Sequence, residues 1–387
     1  VLLESLTMRT LRKIAFLLEE FSKPSPAQQL VDRFLAGYVT DGEFRRPPFE
    51  DASAYVILSN NPPELEQRTK DFKLMVAPRA EAAVEGADAV VIVSRKPGAL
   101  ANERLVQIAL ERAPEGGACF VHGALANSLE RARKFAGLAR SRQIALLAGT
   151  PLCVTWRLPE VELSPAAPLS EALIVVQASP SPGQTSPPVP PSSLRGAELH
   201  ALEGLLPVIE RRRGGESGVR SVRFLEGKEL WKAGDKGNWS WPLLASALSR
   251  SHSPQGDPVL DGRTQDLAGL GLVPKLARNP RGWLIEHRDG LRSAILVLDG
   301  VVADFNFAVR AQDRSIVCAQ LYRAPAPAEQ HFSRLAAVME DFFRTGEAPW
   351  PIERNTLIAG LLEGFSQPSS RTGKVVPTPG LEVVYQP

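Results

Sequence analysis

Cysteine is scarce: Cys119, Cys153 and Cys318 are the three in 387 residues, with no CxxC pair, so neither a disulfide framework nor a structural zinc site is signalled. That usage suits a reduced, cytoplasmic-type protein. No run of about 18 apolar residues occurs, and no membrane-spanning helix is expected. The opening Val1–Leu6 is short and interrupted by Glu4, unlike a signal peptide. Charge of one sign is missing as well. Lys+Arg number 45 and Asp+Glu 43, a formal net charge of +2, too little for nucleic-acid binding driven by bulk charge. There is no Gly-x-Ser-x-Gly elbow and no Walker-type Gly-Lys-Ser loop. The histidines are scattered, none pairs with another at ligand spacing, and no metal site is expected. Glycine itself is absent before Gly37.

What is present is a regular alternation. The apolar run Ile14 to Leu18 is followed by a helical segment from Pro26 to Leu35, and Ala54 to Leu58 forms a second run. Val90-Val91-Ile92-Val93 is the most β-branched stretch, as in a strand buried on both faces. Helical segments near Ala101 to Glu111 and Ser128 to Ala139 lead to the runs Ala118 to Val121 and Ile144 to Leu147. Strands alternating with helices over this length predict a doubly wound parallel sheet across residues 9–150. From residue 151 to 387 the pattern changes to longer strands punctuated by Asp289-Gly290 and Asp299-Gly300, which read as hairpin turns. The expectation is an α+β domain with a mostly antiparallel sheet. Six of the twelve residues 180–191 are proline, an exposed insertion within that second domain. If the outer face of its sheet is apolar it needs a covering partner, and a homo-oligomer is expected.

The order Ala82 to Val93, Ala101 to Leu110, Phe120 to Ala126 and Ala139 to Gly149 resembles the second half of the nucleotide domain in the glucose-fructose oxidoreductase and inositol dehydrogenase (Gfo/Idh/MocA-like) family. Phe332 to Pro349, Ile358 to Phe365 and Gly373 to Val376 are similar to that family's closing helices and tail. The resemblance implies a Rossmann-like first domain, NAD or NADP as cofactor, and a carbohydrate or polyol as substrate. Two of the family's motifs are replaced here. Its first strand runs into a glycine-rich turn that lets backbone approach the pyrophosphate; this turn reads Glu19-Glu20-Phe21-Ser22-Lys23-Pro24-Ser25-Pro26. Its Glu-Lys-Pro triplet after the fifth strand, which carries the proton-transfer lysine, is His122-Gly123-Ala124.

If a nucleotide is retained, Glu19, Ser22, Lys23, Ser25, Asn60 and Ser94 are the positions that would surround it. His122, at a strand C-terminus, is the candidate proton acceptor, against a structural reading as a hydrogen-bonded core histidine. Lys236-Gly237-Asn238-Trp239-Ser240-Trp241 places two indoles beside amide and hydroxyl donors; Trp239 and Trp241 are read either as a sugar-stacking platform or as core plugs. Asp261, Arg263 and Asp266 lie in a dense polar stretch, with Lys236, Asp261 and Asp266 as further acid–base candidates and Arg263 as a substrate contact. Three readings stand: a sugar or polyol oxidoreductase, a cofactor-free ligand- or partner-binding protein on the same scaffold, and a non-redox lyase or hydrolase. Neither nucleic acid nor membrane is expected as a partner.

Overall fold

The computed structural model describes residues 9, 11–58, 63–94, 100–161, 163–164, 166–178, 194–253 and 266–387. Asn60, Asp261, Arg263 and the proline-rich 180–191 lie outside these residues. The first stretch runs β1 (Lys13–Leu18), α1 (Pro26–Ala36), β2 (Tyr38–Thr40), β3 (Glu43–Arg45), β4 (Asp51–Val56), α2 (Pro63–Phe72) and β5 (Met75–Val76). It continues with α3 (Ala80–Val84), β6 (Ala89–Val93), α4 (Leu100–Arg112), β7 (Ala118–His122), α5 (Leu129–Ser141) and β8 (Ala145–Gly149). Next come β9 (Arg157–Leu158), β10 (Leu169–Val176), α6 (Leu194–Ile209), β11 (Val219–Glu226), α7 (Gly227–Asp235), α8 (Trp241–Leu248) and α9 (Val273–Leu276). β12 (Arg278–His287), β13 (Arg292–Asp299), β14 (Phe305–Ala311), β15 (Ile316–Leu321), α10 (His331–Thr345), α11 (Ile352–Ser366) and β16 (Val376–Pro377) complete the chain.

Two compact units result: residues up to Val154 with Ala324–Ala359, and Thr155–Arg323 with Gly360–Pro387. The second domain was expected to run unbroken from 151 to 387. Instead the chain returns to the first unit, because α10 buries Phe332, Leu335, Ala336, Met339, Phe342 and Phe343 in one core with Phe16, Leu30 and Phe34. That face is an amphipathic stripe at helical spacing, which a helix buries against whatever apolar surface is nearest.

In the first unit six parallel strands stand in the order β5-β4-β1-β6-β7-β8. The order reverses between β1 and β6, the switch point beside which open α/β sheets take ligands. All five residues of β6 are buried. Alternate residues of β1 feed the two faces: Ile14, Phe16 and Leu18 pack with α1 and α10, whereas Ala15 and Leu17 pack with α3, α4 and α5. The β2–β3 hairpin was not foreseen.

In the second unit the sheet order is β16-β11-β12-β13-β10-β14-β15-β9, with β10 and β13 parallel and the other pairs antiparallel. Asp289-Gly290 does turn β12 into β13, Gly290 taking a φ of +91°. Asp299-Gly300 closes no hairpin, since β10 stands between β13 and β14. Leu173, Val175, Leu296 and Ala308 face a core built with α7 and α8. On the other face α6 presses so closely that a Cβ at Gly204 would lie 2.4 Å from Leu321 Cδ1. The chain's own helices pack on both faces, and among the described residues the uncovered apolar face that motivated a homo-oligomer is not found there.

Candidate functional site

The strand ends at the switch point are shaped first by the β1–α1 turn. Glu19 and Glu20 are half-buried there, and Phe21 turns inward to join the core at 3% exposure. Arg68 of α2 lies 5.6 Å from the centre of the Phe21 ring and is ion-paired with Asp32 of α1 at 2.6 Å. Ser22 is half-buried and Lys23 exposed. Helix α1 then begins with Pro26 at its first position, which has no N–H. Ser25 is its N-cap, taking the Gln28 N–H on Oγ at 3.1 Å and the Gln29 N–H on its carbonyl at 3.0 Å. Of the four backbone positions that a helix N-terminus normally offers an anion, Ser25, Pro26, Ala27 and Gln28, Pro26 has no N–H and the Gln28 N–H is taken by Ser25 Oγ. No residue of this turn has a positive φ. A phosphate-binding turn works by bringing bare backbone to the pyrophosphate and aiming several N–H groups at it. The residues present do not fit that group in the family's manner: the turn carries side chains throughout, Phe21 among them is core, and two of the four helix-opening positions offer no free N–H.

At the neighbouring strand ends stand Ser94, buried just after β6, and His122, the last residue of β7. His122 is 5% exposed and stacks on Phe332 of α10, with ring centroids 6.0 Å apart and planes at 21°. Neither ring nitrogen has a hydrogen-bond partner, so the structural reading of a hydrogen-bonded core histidine does not hold in that form. Burial pushes its pKa down to about 4. A base that weak is poorly matched to proton abstraction near neutral pH. Gly123 follows at a φ of +96°, with its N–H bonded to the Gly149 carbonyl at 3.0 Å. A lysine placed on this backbone would be held in a conformation that costs any L side chain strain. The segment beyond is pinned by α4: Glu103 accepts from the Asn127 N–H at 2.8 Å and from Arg131 Nε at 3.2 Å.

The lowered pKa of His122 has a sign that can be measured. The unfolded ring, with a pKa near 6.5, binds protons that the folded ring refuses until about pH 4, so stability falls as pH drops through that interval. The slope contributed is at most about 1.4 kcal/mol per pH unit. His122→Phe is expected to flatten it in urea titrations between pH 6.5 and 4; an unaltered slope would mean that the ring is solvated and available.

The candidates of the second unit have structural employments. Trp239 is 3% exposed, belongs to the core under α7 and α8, and donates Nε1–H to the Leu230 carbonyl at 2.9 Å. It is a core plug, unavailable for stacking on a sugar. Trp241 is half-buried, stacks on Trp231 at 5.8 Å and donates to Asp235 Oδ1 at 3.2 Å. Ser240 between them caps α8. Lys236 is exposed at the C-terminus of α7, and exposed Asp266 accepts the Gly269 N–H at 2.9 Å, closing a turn. His122 belongs to the first unit, Lys236 and Asp266 to the second. A surface groove of about 530 Å³ lined by Arg79, Glu81, Glu85 and Arg112 reaches Gly86 and Pro114, which precede β6 and β7, so it lies at the opposite ends of the strands.

Two constellations of the second unit escaped the sequence. Arg212, inside the run Arg211-Arg212-Arg213, caps the Ile209 carbonyl at 2.9 Å as a helix-terminal cation should. It also forms a buried bidentate pair with Glu216 and bonds Asp289 at 2.7 Å. His287 links Glu216 to Ser293, each at 3.0 Å. Elsewhere Asp304, Asn306 and Gln320 converge with Ser251 and Ser253. The available signal was a polar alternation, Asp304 just before β14 and Asn306 within it.

No protein-family model and no curated protein matches the chain. Solved structures do. It is similar to GenD2 from gentamicin A biosynthesis in complex with NAD, with a TM-score of 0.60, 11% identity and coverage of 96% of this chain and 97% of that one. The scyllo-inositol dehydrogenase from Lactobacillus casei with bound NAD(H) and scyllo-inositol gives a TM-score of 0.59 at 11% identity, over 96% and 99%. The biliverdin reductase from Synechocystis in complex with biliverdin and NADP+ gives 0.53 at 12%, over 91% and 96%. The chain shares the fold of these proteins over 91–96% of its length.

Proposed function

We propose that this chain, built on the fold of the inositol dehydrogenases and related NAD-binding oxidoreductases, is a divergent member of that family whose ligand is a carbohydrate or polyol. Whole-length likeness to a polyol-bound dehydrogenase supports the ligand class. On the cofactor the carrying observation is the β1–α1 turn, where Phe21 is core, Pro26 has no N–H and Ser25 Oγ takes that of Gln28. A dinucleotide pyrophosphate has no cradle there. With Gly123 in place of lysine and His122 buried beside Phe332, the residue that would carry proton transfer in the family is not replaced in kind. The reading is therefore a carbohydrate- or polyol-binding protein whose nucleotide-type unit serves as scaffold.

A second reading, an active NAD- or NADP-dependent oxidoreductase with an altered cradle, is favoured by likeness over the whole chain to an NAD-bound structure. Calorimetric titration separates the two. No saturable heat from NAD or NADP up to about 1 mM is expected. Saturable binding of either nucleotide would overturn the cofactor-free reading and redirect the search to sugar and polyol oxidation.

A further inference from the structure

Helix α4 has one side in the core of the first unit and the other open to solvent. Leu105, Val106, Ala109 and Leu110 are at most 1% exposed, whereas Arg104 and Glu111 are exposed and Gln107 and Ile108 half-buried. The last four line a surface groove of about 340 Å³, bordered by Glu81 of α3 and Arg131 of α5. Seven residues make nearly two helical turns, so Arg104 and Glu111 stand almost in line along α4, about 10.5 Å apart. Two turns apart, they do not meet. Among the described residues Arg104 has no ion pair, and Glu111 accepts from a neutral donor, Gln107 Nε2, at 2.8 Å.

Opposite charges two turns apart on one exposed line cannot neutralise each other within the helix, but they can between two copies of it. The midpoint of Arg104 and Glu111 falls between Gln107 and Ile108. A twofold axis through that point, lying in the plane of the contact and across α4, sets a second α4 antiparallel on the first. Arg104 then faces the partner's Glu111, Glu111 faces the partner's Arg104, and Ile108 meets its own copy beside the axis. The parallel arrangement would oppose like charges. The stripe is therefore complementary to itself in one orientation, which is what a closed twofold contact requires. Its apolar centre and charged ends also follow the anatomy of a small interface.

We propose that α4 is the contact of a twofold-symmetric homodimer in which Arg104 of each copy pairs with Glu111 of the other across Ile108. The occupant of the groove is a second copy of this chain. One helix face and its two borders make a contact at the small end of the range for specific interfaces, so the dimer is weak and concentration-dependent, with its register set by charge. This surface belongs to the first unit and is not the sheet face on which the expectation of a homo-oligomer rested. It stands or falls independently of the ligand reading above.

The test is sedimentation velocity of the whole chain over a concentration series reaching several hundred micromolar, on wild type, Arg104→Glu and Glu111→Arg. Both positions are exposed, so both variants are expected to fold, checked by circular dichroism. By symmetry each single reversal turns two attractive contacts into two repulsive ones. A wild-type dimer whose dissociation constant rises about ten-fold or more in each variant is the expected result. An equimolar mixture of the two variants should associate again, because every charge on the stripe then faces its opposite. A wild type that stays monomeric throughout would overturn the proposal. A dimer indifferent to both reversals would place the contact elsewhere and overturn it too, and a mixture that fails to associate would overturn the antiparallel pairing.

Discussion

Replacing Glu216 by alanine lowers the unfolding free energy by about 3–5 kcal/mol, the cost of leaving a buried charge without its counter-ion. The side chain of Glu216 is 0% exposed and that of Arg212 2%. Arg212 meets Glu216 through both Nη atoms at 3.1 and 3.3 Å, and the Gly218 N–H donates to the same carboxylate at 2.9 Å. Asp289 bonds Arg212 as well but is itself partly exposed, so it does not substitute for Glu216. Urea denaturation should show the loss as a lowered midpoint at unchanged slope; a change under about 1 kcal/mol would mean that the site relaxes and admits water. Acid reports on the same group. Burial by itself would push the Glu216 carboxyl up, but His287 and Arg212 bring it down to about 2. Its contribution is then complete above the unfolded pKa near 4.5 and is lost as pH falls through about 2. That window overlaps the one set by His122 only between about pH 4.5 and 4, so the His122 contribution is read above pH 4.5.

The same network holds Ser293, His287 and Glu216 at the spacing of an acyl-transfer triad. It is not one. Ser293 is 4% exposed near the start of β13, paired to Ala172 on one side and Ile285 on the other, and no carbonyl substrate can reach its hydroxyl. The relay instead ties the end of α6 to the β12–β13 hairpin. It also tethers the C-terminal tail, since Glu216 and Tyr385 exchange backbone bonds at 2.9 and 3.1 Å.

Trp239→Ala is expected to cost about 3–5 kcal/mol, as truncation of a large buried aromatic side chain does. The indole touches Trp231 and Trp241, with ring centroids 6.4 and 4.6 Å away, and α7 accommodates it only because residue 234 is glycine. A Cβ there would lie 2.5 Å from Trp239 Cζ2. Trp241→Ala, at a half-buried position, should cost clearly less. The comparison decides between the two uses of this segment. A ligand platform would show the reverse, with Trp239→Ala leaving thermal stability nearly intact while abolishing polyol binding.

Much of the first unit was legible in the sequence because its strands are buried on both faces and need no partner information to be seen. The run Ala89 to Val93 is apolar and β-branched throughout and has only one stable use in an alternating chain. The missing glycines at the β1–α1 turn were equally visible, and the structure adds what occupies their place: a core phenylalanine and a self-capped helix. His122 was visible as a position, yet its environment was not, because Phe332 joins it from 210 residues further along the chain.

Local pattern thus determined the parallel half, the helix boundaries near Ser25 and Ser128, and the turn at Asp289-Gly290, since each depends on residues within one or two turns of chain. The tertiary structure decided the rest. It sent α10 back to the first unit, buried Trp239, closed the Glu216 network across the 71 residues to His287, and set Asn306 opposite Gln320 across a ladder. Periodicity records which face of an element is apolar. Which polar groups end up facing one another, and which are left without a partner, is fixed only when distant strands take their register.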